Sequence, residues 1–581
     1  MCISSKDDTG FGVVSLDGLW DFAFLGDTDE QSALEHLPEQ WRKTYVPSAF
    51  DASVETPGKR GMAMYRKTLI IPKGHPAELY FGALSIWSRV YLDGELLREN
   101  ACGYEPLHIY VPEAKYERRE LLVLVDNRFD FERVPMHEEH FDFYQYGGIL
   151  REVKLRLLKA GDPWIKAIRV TPTDLYEAGK IHVDIDIAYT GTGQKLRWEY
   201  AFDNRASSAL PEEAVEMDST GAHMALLVPD PQTWSPDAPH LHQLDVLMRG
   251  ENGKVVDRRS VRFGLRQVKA HGGKLWLNGE PLILKGVNRH EWHPNFGPCT
   301  PVAQMVSDVQ LMKDMGCNFV RGSHYAQDQR FLDVCDELGM LVWEENLGWG
   351  QREFTLTCEK FINDHRQSLK AMVYESYNHP CVICWGFLNE AGSDAEYARP
   401  VFEDSVSVLR QIDPSRLITF ASMYAFSDRY FDLVDFISIN TYPGWYGCED
   451  EPDPLSLIKP QIERISSSVD ERGFAEKPLV ISEIGVEGLY GWRDTHNDFF
   501  TEDFQARYLQ AAIRSVLGNT RYSGIVLWHF SDVRTYGGGR SLMRPRAFNN
   551  KGVLDEYRRP KQAYETVKMC FSEGPIEPSR Q

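Results

Sequence analysis

A chain of 581 residues is longer than one hydrophobic core can organise, so two to four domains are expected, and 43% apolar content is ample to fill them. The formal net charge of −21 excludes nucleic acid and acidic membranes as partners, because both are bound through clustered Lys and Arg. No window approaches eighteen uninterrupted apolar residues, and MCISSKDDTG lacks the basic and apolar regions of a signal peptide, so a cytoplasmic chain is expected.

Residues 1–160 are built of short strands with turn signals. YRKTLIIP, AELYFGAL, RVYLDGELL and ELLVLVDNR alternate or run apolar over strand lengths, and Asp93-Gly94 supplies a two-residue hairpin turn. The zone reads as a jelly-roll β-sandwich. A second β zone, residues 161–268, carries IKAIRVTPT, KIHVDIDIAYTG, HQLDVLMRG and VDRRSVRFG at the spacing of an immunoglobulin-like sandwich, after a linker near Gly161-Asp162-Pro163.

From residue 269 the pattern changes. After a hairpin, LWLNGEPLIL, with Asn278-Gly279 at its turn, eight apolar runs alternate with amphipathic stretches. The runs are LILKGVNRH, NFVRGSH, MLVWEENL, VICWGFLNE, LITFASM, DFISINTYPGW, PLVISEIG and SGIVLWHF; helices are predicted over 302–315, 327–338, 357–378, 400–412, 455–470 and 503–517 and near 560–570. Eight strand–helix units over about 300 residues predict a closed (β/α)8 barrel over 269–581. The ten cysteines follow no framework, and the close pair Cys381 and Cys384 sits inside an apolar run, so buried reduced thiols are expected and neither a metal nor another cofactor. TGTGQK lacks the glycine and helix of a nucleotide loop, and the tail SEGPIEPSRQ reads as disordered.

A barrel of this kind does its chemistry at the C-terminal ends of its strands. Those ends carry Asn288, Arg289, His290 and Glu291, then His324, then Glu344 and Glu345, then Asn389 and Glu390, then Asn440 and Tyr442, then Glu483, and last Trp528 and His529. Carboxylates among aromatic rings suit a neutral, hydroxyl-rich ring. Two carboxylates from different strands can divide labour, one protonated to donate and one ionised to attack; about 5–5.5 Å between them gives a double displacement with retention. Glu390 and Glu483, on the fourth and seventh runs, face each other across such a mouth. His290, Glu291 and His293 also admit a metal reading, but Arg289 and Trp292 between them favour a hydrogen-bonded wall, and Glu344 and Glu345 read as orienting groups.

LDGLWDF, KGVNRHE, RGSHY, WGFLNE and ISEIG in this order resemble glycoside hydrolase family two, which includes β-galactosidases, β-mannosidases and β-glucuronidases. The resemblance covers nearly the whole chain. It implies Glu390 as acid/base, Asn389 on the substrate 2-hydroxyl and Glu483 as nucleophile, with Ala391 standing where many β-glucuronidases have Pro, a change to the loop more than to the chemistry. FNNKGVLDEYRRPK is similar to the Asn-x-Lys motif of the β-glucuronidases, here Asn549 and Lys551, which gives a C6 carboxylate a donor and a cation. Arg544 or Arg546 is expected to add a second cation. FDFYQYGGILR resembles the β-glucuronidase segment whose Asp, here Asp142, reaches towards the 4-hydroxyl, and NTYPGWYG carries Tyr442, Trp445 and Tyr446 at matching positions; with His290 and Trp528 from the strand ends these make up the expected binding set.

The resemblance therefore implies a retaining β-glucuronidase acting on small-molecule or oligosaccharide glucuronides, commonly a dimer or tetramer. The alternatives are a β-galacturonidase or β-galactosidase, with Arg352 reaching an axial hydroxyl, and, outside enzymes, a carbohydrate-binding protein without turnover. GQREFTLTCEK is short after the third run, so an open mouth is expected.

Overall fold

The computed structural model describes residues 12–139, 141–173, 181–190, 196–210, 215–217, 221–496, 498–536 and 544–573. The N-terminal eleven residues, most of TGTGQK and the tail from residue 574 lie outside them. The chain divides into two compact units: Met1–Arg128, Gly147–Gln267 and Tyr374–Pro380 form the first; Phe129–Tyr146, Val268–Val373 and Cys381–Gln581 form the second.

The first unit holds two β-sandwiches. In the N-terminal one, a six-stranded antiparallel sheet runs Arg42–Val46, Gly18–Gly26, Met62–Ile70, Arg118–Asp126, Trp87–Leu92, Glu95–Asn100, and a four-stranded sheet runs Val13–Ser15, Val153–Leu157, Ala77–Phe81, Leu107–Val111. One apolar cluster, including Trp20, Phe22, Tyr65, Leu79, Phe81 and Val123, fills the space they share. The next sandwich is made of two four-stranded sheets around Ile185, Trp198, Val246 and Phe263. Its strand His182–Tyr189 buries Val183, Ile185, Ile187 and Tyr189, every second residue, as a sheet with one wet face requires. Asp93 and Gly94 have φ of +52° and +85°, the conformation of the expected two-residue hairpin.

The second unit is the barrel. Its parallel strands are β1 (Leu284–Arg289), β2 (Phe319–Gly322), β3 (Leu341–Glu345), β4 (Val382–Asn389), β5 (Leu417–Ser422), β6 (Ile437–Asn440), β7 (Leu479–Ile484) and β8 (Tyr522–Leu527), and β8 closes on β1. These are the eight runs read from the sequence. All eight residues of β4 are buried, because a parallel barrel strand is covered on both faces. Gly386 in β4 leaves room for an indole: a Cβ there would lie 2.0 Å from Trp343 Nε1. Helices Val302–Asp314, Gln329–Leu338, Glu359–Ser376, Arg399–Ile412, Ile458–Glu471, Glu502–Leu517 and Gln562–Ser572 match the predicted ones to within a few residues at either end. Cys381 and Cys384 are free and buried. No described helix is long and apolar enough to cross a membrane.

Candidate active site

The floor of the barrel mouth is organised by one guanidinium. Arg321, in β2 and fully buried, donates from Nη1 to Glu483 Oε1 at 2.7 Å and Asn288 Oδ1 at 3.0 Å, from Nη2 to Asn389 Oδ1 at 2.8 Å, and from Nε to Glu345 Oε2 at 2.7 Å. Side chains of β1, β3, β4 and β7 thus meet at a single planar cation, whose fork fixes several acceptors at once. Beneath it lies Trp343, 4.7 Å from the guanidinium to the ring centre.

Glu483, in β7 and 3% exposed, accepts from Arg321 and, at Oε2, from the Tyr442 hydroxyl at 2.6 Å. Burial and the charge of Glu483 hold the Tyr442 phenol well above its ordinary value, so it stays a donor. Glu390 stands in a different environment. It follows β4 with φ +49°, a left-handed conformation uncommon away from glycine, and is partly exposed. Its Oε1 accepts one hydrogen bond, 3.0 Å from Asn440 Nδ2. Burial first, and the nearby charge of Glu483 second, push its carboxyl up to about 7. Two carboxyl groups at one mouth are therefore set apart, one surrounded by donors and one poised to keep its proton. Between them, Asn389 Oδ1 accepts from Arg321 and from Asn440 at 3.1 Å, which fixes the amide, and its buried Nδ2 has no partner among the described residues.

The rings enclose this centre. His324 stacks on Trp528 at 5.1 Å, and its Nδ1 lies 2.7 Å from Glu345 Oε1; burial, reinforced by Arg321, lowers it to about 3. His290 meets Trp528 edge-on at 5.6 Å and Phe143 at 4.9 Å. Burial keeps it neutral, and its Nε2 lacks a partner among the described residues. Glu291 accepts from the Asp328 backbone and His293 stacks on Phe296, so both serve the surrounding fold.

A second cluster lies in the same unit. Segment 129–146 packs there through Tyr144 N to Arg534 O at 2.9 Å, Gln145 N to Tyr536 hydroxyl at 3.0 Å and Trp292 Nε1 to Tyr146 hydroxyl at 2.7 Å. It delivers Asp142, whose carboxylate accepts from Arg544 Nε at 3.0 Å, Arg544 Nη2 at 2.6 Å and Asn549 Nδ2 at 3.1 Å. Arg544 also donates to Glu487 Oε1 at 2.5 Å and Tyr446 hydroxyl at 3.1 Å. Lys551, 1% exposed, donates to the Tyr446 hydroxyl at 3.1 Å and to Glu487 Oε1 at 3.5 Å, with the rings of Tyr442, Trp445 and Tyr446 at 5.8, 5.5 and 5.1 Å. The loop beneath it is pinned by a buried pair: Lys561 Nζ lies 2.7 Å from Asp532 Oδ1 and donates to Asn550 O at 3.0 Å, while Gly552 N donates to that Asp532 oxygen at 3.0 Å.

The expected residues thus gather in two linked groups: Glu390, Glu483, Asn389, Tyr442, His290 and Trp528 in the first, and Asp142, Tyr446, Asn549 and Lys551 in the second. Trp445 backs the second group, buried and stacked on Phe499 at 5.0 Å. Of the two arginines, Arg544 joins the cluster and Arg546 pairs with Glu556 and Asn550. Arg352 is exposed and donates to the carbonyl of Glu390. Sequence reasoning did not single out Arg321, Glu487, Asp532 or Lys561. Arg321 stands in the quoted RGSHY, and Glu487 lies four residues past Glu483; burial is what distinguishes them.

Known proteins resemble this chain along nearly its whole length. A model of "Glycosyl hydrolases family 2, TIM barrel domain" matches residues 268–574, and one of "Glycosyl hydrolases family 2" matches residues 165–266. A β-glucuronidase of Streptococcus agalactiae is 27% identical over 594 aligned positions, covering 95% of both chains. The structure of a β-galacturonidase from Eisenbergiella tayi bound to galacturonate superposes with a TM-score of 0.86 at 30% identity, covering 97% of this chain and 98% of that one. A β-glucuronidase of Bifidobacterium dentium, complexed with coumarin-3-O-glucuronide, has the same fold, with a TM-score of 0.88 at 24% identity and full coverage of both chains.

Proposed function

The chain belongs to family 2 of the glycosyl hydrolases, and from that premise we propose that it hydrolyses β-D-glucuronides with retention of anomeric configuration. Glu483 attacks the anomeric carbon as Glu390 passes its proton to the departing glycosidic oxygen. Water then opens the glycosyl ester, giving its proton back to Glu390. The environments support this division: donors from Arg321 and Tyr442 orient the Glu483 carboxyl group, and Glu390 is pushed up to about 7, where it can act as both acid and base. The unpartnered Asn389 Nδ2 is a donor for the 2-hydroxyl.

The observation that carries the uronide reading is Lys551. It is a buried ammonium whose nearest carboxylate among the described residues is 3.5 Å away, whereas the neighbouring Lys561 sits 2.7 Å from its own. A buried cation so loosely matched is costly until an anion reaches it, and a sugar carboxylate at C6 is that anion. Asn549, fixed by Asp142, stands beside it.

Identity of 30% with the galacturonidase gives a second reading, a galacturonide substrate, in which exposed Arg352 meets an axial 4-hydroxyl. Initial rates on p-nitrophenyl β-glucuronide, β-galacturonide and β-galactoside separate the readings. The glucuronide should be preferred, and Lys551→Ala should lower kcat/KM for uronides by about 10–100-fold, the worth of one charge-assisted contact, with neutral sugars little changed. A galactoside preferred by the unaltered protein refutes the uronide reading. Proton NMR of the first-formed sugar should show the β anomer. The same reading takes domain boundaries at 160/161 and 268/269 and a cytoplasmic homo-oligomer, dimer or tetramer.

A further inference from the structure

Glu487 belongs to neither group of residues that the reaction needs, yet it is fully buried beside the cation assigned to the substrate. Its Oε1 accepts from Arg544 and Lys551 and its Oε2 accepts from Asn550 Nδ2 at 3.1 Å. Asp142 neutralises Arg544 from the other side. Two cations and two carboxylates are therefore packed together, and the pocket is formally neutral before any substrate enters. A uronic acid brings a third negative charge into a site where charges interact far more strongly than in water.

We propose that Glu487 is a built-in counter-anion of this pocket, competing with the sugar carboxylate for Lys551 and so limiting how tightly the acidic product is held. The proposal rests on the uronide reading and deepens it. The C6 carboxylate does not react, so Lys551 holds it alike in substrate, transition state and product. Binding that is uniform along the reaction lowers KM and slows product departure without lowering the chemical barrier. A fixed anion 3.5 Å from the same ammonium subtracts from that uniform hold and leaves the anomeric centre untouched. The unequal distances fit this role: Glu487 is held tightly by Arg544 at 2.5 Å and only loosely engaged by Lys551, so the lysine can turn to a ligand while Glu487 stays in place.

The rival account, in which Glu487 merely positions Arg544 and Lys551, predicts the opposite sign. Glu487→Gln keeps an acceptor for both cations and removes the charge. Inhibition by the uronic acid of the preferred substrate should tighten at least about threefold, a factor corresponding to ~0.7 kcal/mol, with KM for the uronide falling alongside and inhibition by the neutral sugar unchanged. Weaker or unchanged inhibition by the acid overturns the proposal. A second variant decides the matter if the first does not fold. In Lys551→Met the pocket keeps an excess anion, so the uronic acid should bind at least about threefold more weakly than the neutral sugar. Equal binding of the two overturns it. A protein that prefers uronides but fails these tests refutes only the role of Glu487, whereas one that prefers neutral galactosides refutes the uronide reading beneath it.

Discussion

The N-terminal sandwich and the barrel mouth are equally buried, and they are buried for opposite reasons. The sandwich cluster of Trp20, Phe22, Tyr65 and Phe81 loses water from apolar surface, which stabilises the fold by about 25 cal/mol per Å² without needing any particular partner. At the mouth, Arg321, Glu345, Glu483, Glu487 and Lys551 are no more than 3% exposed, and each would cost several kcal/mol if left alone. Apolar burial is tolerant of detail; charge burial is not. A region where a chain holds many charges out of water, matched donor to acceptor, is a candidate for its chemistry.

The comparison is broken most directly at Glu483. Glu483→Gln keeps the shape and the hydrogen bond from Arg321 but removes the proposed nucleophile, so kcat should fall on the order of 10⁴–10⁶-fold with little change in Tm, as when a covalent catalyst is removed from other hydrolases. Activity surviving this change would move the reaction to another site.

Glu390→Gln should cost about 10²–10⁴-fold, the usual worth of a positioned acid. As the proposed acid, Glu390 must carry its proton, so kcat/KM of the unaltered protein should decline as pH rises through about 7. The variant should lose that alkaline limb, and Glu390→Ala should regain turnover with azide, which needs no base and yields the β-glycosyl azide. A limb that persists in Glu390→Gln belongs to another group.

The sandwich should respond in the other currency. Phe22 is 1% exposed and meets the Tyr65 ring edge-on at 4.8 Å, so Phe22→Ala should lower unfolding free energy by about 3–5 kcal/mol through lost burial and an unfilled cavity. Turnover per folded molecule at 25 °C should not change. Loss of kcat without loss of Tm would mean that the two regions are not separable as described.

Legibility in the sequence divides along the same line. The eight barrel strands were readable because parallel strands covered on both faces run apolar over most of their length, as VICWGFL does, and the hairpin at Asp93-Gly94 because few residues accept positive φ at both turn positions. The strand Arg42–Val46, largely exposed along one edge of its sheet, was not singled out; RKTYV has no apolar alternation to reveal it. Glu390, Glu483, Asn549 and Lys551 stood out through motifs. Glu487 did not, since its meaning comes from Arg544, 57 residues away, and Asp142 meets that arginine across 402 residues. The choice between Arg544 and Arg546 rests on backbone direction, with Arg546 at φ +65° turning its guanidinium to Glu556.

The finest test of the contrast is a single hydroxyl. Tyr446 is 45% exposed, yet its oxygen accepts from both Lys551 and Arg544 at 3.1 Å and so joins the two cations of the proposed acidic-sugar pocket. Tyr446→Phe keeps the ring beside the Lys551 ammonium, 5.1 Å away, and deletes only that acceptor. A hydrogen bond to a charged group contributes about 1.5–3 kcal/mol when buried and less at a half-exposed site, so KM for uronides should rise about 3–10-fold, with kcat, Tm and the kinetics of neutral substrates unaltered. An equal loss on neutral and acidic substrates would assign the hydroxyl to the sugar ring. A change in Tm without one in KM would make it part of the fold, and the division between paired charge at the mouth and apolar packing elsewhere would then need redrawing at this residue.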